Sequence, residues 1–150
     1  MPRIIVGLML ALLSAGAWAQ NDPGIMADPI ALTDKANAYF RGNGVPQSDQ
    51  RAVELYQQAA AMGYARAMHN LGFMYAEGRG VAQDEFHAID LYRAAMAHTY
   101  IPAVTSLGIA YAEGRGVSVE PKTAYMLLKR SADAGDKRAA DYLVQTKLRP

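Results

Sequence analysis

The string LGFMYAEGRGV at residues 71–81 returns as LGIAYAEGRGV at residues 107–117, with nine of eleven positions identical and a shift of 36 residues. The same shift aligns Tyr39, Tyr75 and Tyr111, then Gly42, Gly78 and Gly114, then Gly44, Gly80 and Gly116. Val45, Val81 and Val117 follow, as do Ala52, Ala88 and Ala124. Ala31, Ala67, Ala103 and Ala139 share another phase, and Leu71, Leu107 and Leu143 a third. A constant period of this size means that each unit buries its apolar face against its neighbours, which predicts a solenoid.

Each period reads as two helices. Ala67, Leu71 and Tyr75 fall on one helical stripe, and Gly78 follows where a left-handed cap ends a helix. Asp84 is placed to cap a second helix whose stripe includes Ala88, Leu91, Tyr92 and Ala95. Proline opens helices at Asp28-Pro29, Ile101-Pro102 and Glu120-Pro121. Gly63 and Gly135 end second helices, with Thr99 at the matching middle position. The expected fold is all-α: an α-solenoid of antiparallel helix pairs with about seven helices. The repeats are expected at about 29–64, 65–99 and 100–135, with a closing helix at 137–148 in a repeat domain spanning 29–150.

The glycine-rich string is not a phosphate cradle. A Walker-type loop ends in Gly-Lys-Ser/Thr, whereas this one continues Gly-Val. A dinucleotide fingerprint needs a third glycine and a preceding strand, and neither is present in the pattern. The motif recurs in one phase between helix stripes, as a turn between helices would.

The first residues set the compartment expected. Met1-Pro2-Arg3, an apolar run from Ile4 to Leu13 and the A-x-A pattern Ala17-Trp18-Ala19 form a secretory signal peptide over 1–19. Cleavage is expected after Ala19, leaving a short segment at 20–28, no membrane anchor, and a periplasmic or secreted protein. Without Arg3, the 15 basic and 14 acidic residues balance, which disfavours a nucleic-acid partner. A mild basic excess lies beyond Lys122. The chain has no cysteine, so its stability must come from packing alone.

LGFMYAEGRGV followed by AQDEFHAIDLYRAAMAH resembles the Sel1-like repeat family, a relative of the tetratricopeptide repeats. The likeness covers about residues 29–148; the first copy lacks Leu-Gly in its first helix, and Thr99-Tyr100 and Leu127-Leu128 depart from the pattern. The resemblance implies a protein-binding adaptor, with a partner protein of the envelope or secreted space. It further implies that the first-helix face opposite the repeated stripe lines a concave groove. The expected protein-binding residues are Arg66, His69, Phe73, Glu77, Thr105, Ile109, Glu113 and Asp141, matched in the first repeat by Thr33, Asn37 and Arg41. Phe73 and Ile109 fit either a groove floor or packing between repeats.

No catalytic, cofactor or metal site is expected. His69, His87 and His98 lack metal-ligand spacing, and no serine stands in a nucleophile-elbow context. One secreted branch of the family is linked to β-lactam binding or hydrolysis, but paired cysteines staple each of its repeats. The roles left open are an adaptor docking on an envelope protein such as a sensor kinase, an immunity-type inhibitor of a periplasmic toxic effector, and the β-lactam-directed hydrolase.

Overall fold

A computed structural model describes residues 28–149, which form seven α-helices and no strand. They are α1 (Pro29–Arg41), α2 (Asp49–Ala61), α3 (Ala65–Glu77), α4 (Glu85–Ala97), α5 (Ile101–Glu113), α6 (Pro121–Asp133) and α7 (Lys137–Thr146). First helices begin at 29, 65, 101 and 137, and second helices at 49, 85 and 121, so the 36-residue register extends to the helix starts. Each helix packs chiefly on its neighbours in the chain, as a solenoid requires. The signal peptide, its cleavage site and most of the 20–28 segment lie outside the described residues. No helix among those described is long and apolar enough to cross a membrane.

The helix ends follow from local chemistry. The carboxylate of Asp28 accepts from the Ile30 N–H at 2.9 Å, Asp84 from His87 at 2.9 Å and Asp136 from Ala139 at 3.2 Å. Gly78 ends α3 in the left-handed region at φ 64°. Thr99 adopts the same region at φ 58°, where Gly63 and Gly135 stand in the flanking repeats. The last helix stops at Thr146, two residues short of the expected end, because Lys147 turns left-handed at φ 54°.

Packing explains the repeated small residues. Ala52, Ala88 and Ala124 are essentially without exposure, as are Ala59 and Ala95, so the paired helices meet along alanine seams. Gly72 lies under Tyr92: a Cβ there would come within 2.7 Å of the ring, and one on Gly108 within 2.8 Å of Leu128. The Leu-Gly of the first helices therefore admits the large residue of the following helix, and Ala36 takes this role against α2. In α7 the equivalent residue is Val144, which is 77% exposed. Tyr75, expected in the core, is only half-buried; it bridges the two apolar clusters with its ring edge on His87 at 4.3 Å.

The glycine-rich turns do more than reverse the chain. The second and third of them dock on the start of the second helix of the preceding repeat. Gly80, at φ 68°, lies so close to Asp49 that a Cβ would sit 2.5 Å from its carbonyl oxygen. Arg79 grips the same residue with two hydrogen bonds, at 2.9 and 2.8 Å, while its guanidinium stacks 4.2 Å over Phe40. One repeat later, Gly116 docks on Glu85, and Arg115 donates to Glu85 at 3.1 Å and Glu77 at 2.8 Å. Arg-Gly is a clasp between repeats.

Candidate protein-binding groove

Because first helices recur every 36 residues, their inner faces line one side of the stack, and cavities run along it. One, of about 340 Å3, lies between α1 and α3, bounded by Asn37, Phe40, Arg41, Arg66, Asn70 and Tyr100. A second, of about 90 Å3, lies between α3 and α5 and reaches down to Ile89 and Tyr92 of α4. His69 and Phe73 line both. A shallower hollow of about 390 Å3 continues between α5 and α7, lined by Ile109, Arg138, Asp141, Tyr142 and Gln145.

Seven of the eight expected residues reach this side. Arg66 donates to Asp34 across α1 and α3 at 3.4 Å. Phe73 is 39% exposed, with its ring edge-on to Phe40 at 6.0 Å. Ile109 is half-buried and shared by the smaller cavity and the hollow. Glu113 is exposed and accepts from the Tyr142 hydroxyl at 3.1 Å, and Asp141 is exposed in the hollow. Glu77 lines the smaller cavity but is held by Arg115. Thr105 is the correction: it is fully buried, bonded to Ser131 and donating to Asp136 at 2.8 Å, so it ties α5 to α6 and α7. Thr33, its counterpart in α1, is also fully buried and donates to the Pro29 carbonyl.

His69 stands in the phase of these two buried threonines. It is too large to be buried fully there, so its ring edges into the cavities. Its Nε2 lies 3.0 Å from Ser106 Oγ, and its ring packs 5.5 Å from both Tyr92 and Tyr100. Desolvation, the dominant cause, draws the imidazole down to about 4, so it is neutral at pH 7. Burial pushes the Tyr92 phenol up to about 12, and the two glutamates hold the Arg115 guanidinium above its ordinary value.

A histidine beside a serine invites a nucleophile–base reading, which the surroundings do not support. Such a base needs its second ring nitrogen oriented by an acceptor, and Nδ1 of His69 has no partner among the described residues. Ser106 lies inside α5, whose N–H groups are engaged in the helix, so they supply no oxyanion donors. No cluster that could hold a metal ion occurs among the described residues.

Sequence reasoning missed Ser106, Arg115 and Arg138 as groove residues. They reach the cavity beside α3 from other elements: Ser106 from α5, Arg115 from the turn after it and Arg138 from α7. Their signal was the register itself: Arg66 and Arg138 share a phase, as do Asp34 and Ser106.

Three segments, 31–64, 65–98 and 101–136, match the Sel1 repeat family. Among solved structures, a Sel1 repeat protein from Oxalobacter formigenes is 32% identical with a TM-score of 0.69, over 75% of this chain and 45% of that one. The protein c5321, a protective antigen present in uropathogenic Escherichia coli strains and displaying an SLR fold, is also 32% identical, with a TM-score of 0.73 over 80% of this chain and 26% of that one. The Helicobacter pylori cysteine rich protein B, at 19% identity and a TM-score of 0.60, shares the fold over 80% of this chain and 98% of its own. This chain thus spans less than half the length of the first two. No curated protein matches it.

Proposed function

As the chain belongs to the Sel1 repeat family, whose members are in general protein-interaction scaffolds, we propose that it is an adaptor binding another protein along the inner face of α1, α3, α5 and α7. The observation that carries this reading is Phe73. Its ring is 39% exposed at the junction of two cavities, flanked by His69 and within reach of both. An aromatic side chain open to a groove and rimmed by arginines is the kind of anchor around which protein interfaces concentrate their binding energy. The missing support around the His69–Ser106 pair argues for recognition over hydrolysis.

The place of action proposed is the bacterial envelope or the space outside it. The charged start, apolar run and Ala17-Trp18-Ala19 support export. N-terminal sequencing of protein recovered from the periplasm of a Gram-negative host should begin at or next to Gln20; an intact Met1 on soluble protein would contradict export. The partner is tested by capture from periplasmic extract on immobilised wild type and on a Phe73→Ala/Ile109→Ala variant. The partner should be retained by the first and lost from the second, while equal retention would refute the groove.

A further inference from the structure

The outward stripe of the second helices changes character along the stack. In α2 it reads Gln50, Glu54, Gln57 and Gln58, and in α4 Phe86, Asp90, Arg93 and Ala94. In α6 the same phases hold Lys122, Met126, Lys129 and Arg130. The acid of the first two copies, Glu54 held by Arg51 and Asp90 held by Arg93, is thus a methionine in the third. An acid at position 126 would stand one turn from both Lys122 and Arg130 and would pair with either. Just before α6, Val119 takes the phase of Gln47 and Gln83, which donate to the Phe40 and Ala76 carbonyls; Val119 lies over Gly114 instead.

The result is an apolar patch among unneutralised cations. Met126 is 63% exposed and Val119 57%, and Lys122, Lys129 and Arg130 are all exposed. Lys122 and Arg130 form no ion pair among the described residues. The acids nearby in the chain are engaged: Asp133 accepts from Lys129 through both oxygens at 2.8 Å, and Glu120 accepts from Thr123 at 2.8 Å. Phe86 extends the patch, since an open hollow of about 350 Å3 separates its ring only from Gly116, Val117 and Ser118, next to Val119.

We propose that the outer face of α6, with Val119 and Phe86 beside it, docks on an anionic phospholipid surface. Anionic headgroups complement Lys122 and Arg130, while the tips of Met126, Val119 and Phe86 enter the acyl boundary beneath them. A lipid plane suits this face better than an acidic peptide does. Lys122, Met126 and Arg130 line none of the cavities described above, and a helix flank offers a peptide backbone neither a groove nor a strand edge. Docking through second helices leaves the first-helix groove open, so this inference goes beyond the adaptor reading and does not depend on it.

The test sediments the chain with vesicles of phosphatidylcholine alone and of equal parts phosphatidylcholine and phosphatidylglycerol. Ile4 to Leu13 is common to every variant, so the readout is the difference between variants and between lipids. Wild type should pellet far more with the anionic vesicles, and added salt should reduce that excess. Met126→Asp, which restores the acid of α2 and α4, should weaken anionic binding at least roughly tenfold, as should Lys122→Gln/Arg130→Gln. Lys35→Gln/Arg51→Gln removes two exposed cations from the other end of the stack and should bind as wild type does. Equal pelleting with both vesicles, or full anionic binding by Met126→Asp and Lys122→Gln/Arg130→Gln, would overturn the proposal. Equal losses in the two double variants would also overturn it, by reducing the effect to net charge. So would saturable binding of hexaglutamate without any preference for anionic vesicles, which would give the face to an acidic protein segment.

Discussion

Gly44, Gly80 and Gly116 hold one position of the repeat at nearly the same φ, 73°, 68° and 66°, but their surroundings differ. Gly44 belongs to the first repeat, and a Cβ there would meet nothing within 4 Å. At Gly80 it would lie 2.5 Å from the Asp49 carbonyl oxygen and 2.7 Å from the Gln50 nitrogen; at Gly116 it would lie 2.6 Å from the Glu85 carbonyl carbon. Alanine at any of the three costs about 1–2 kcal/mol for a left-handed backbone. At Gly80 and Gly116 the obstacle is helix backbone, which cannot rotate away, so the repeats must separate. Such overpacking adds about 1–3 kcal/mol. Loosening the half-exposed Arg79–Asp49 pair adds no more than about 1 kcal/mol. Urea unfolding of the chain, followed by circular dichroism, should therefore rank Gly44→Ala about 1–2 kcal/mol below wild type and Gly80→Ala roughly 2–6 kcal/mol below. Gly116→Ala should fall beside Gly80→Ala. Equal losses at Gly44 and Gly80 would show that the glycines serve the turn alone and that the clasp contributes nothing.

Thr99 is a β-branched residue at φ 58°, exposed, with its hydroxyl bonded only to the adjacent His98 carbonyl. Thr99→Gly should therefore raise stability by about 1 kcal/mol in the same assay. The buried His69 should make stability pH-dependent. Its folded value of about 4 lies below the ordinary 6.5, so the unfolded chain binds the proton more tightly. The stability it permits is complete above pH 6.5 and is lost as the pH falls towards 4, by about 3 kcal/mol in all. His69→Thr, which copies Thr33 and Thr105, should flatten that part of the profile; an unchanged slope would place the titrating group elsewhere. Gly72→Ala should destabilise by about 1–3 kcal/mol, because its methyl meets the Tyr92 ring.

The helices were legible because their signals are local: the caps at Asp28 and Asp84, the left-handed Gly78 and the alanine phases fix each turn independently of the rest. The 36-residue register then set the order in which they stack. Burial was less legible where one phase of the repeat serves two purposes. Thr105 and His69 share a phase, but threonine is small enough to close over and bond across to Ser131, while the imidazole protrudes into the cavities. Gly80 showed its turn but not its docking on Asp49, since a close approach between repeats leaves no mark beyond the glycine itself. Ser106 and Arg138 stand 32 residues apart, a relation that appears only when the repeats are compared with each other.

The central claim is that the partner is held on the first-helix face while the clasps and seams hold the fold. It is tested most directly by measuring, on the captured partner, dissociation constants for Phe73→Ala/Ile109→Ala and for Phe86→Ser, with each variant's urea midpoint alongside. Phe86 is 76% exposed near the start of α4 and lines neither groove cavity. The account predicts at least roughly tenfold weaker binding for the groove variant, with its fold retained, and wild-type affinity for Phe86→Ser. Wild-type affinity for the groove variant together with lost binding for Phe86→Ser would move the partner to the second-helix side and contradict the account.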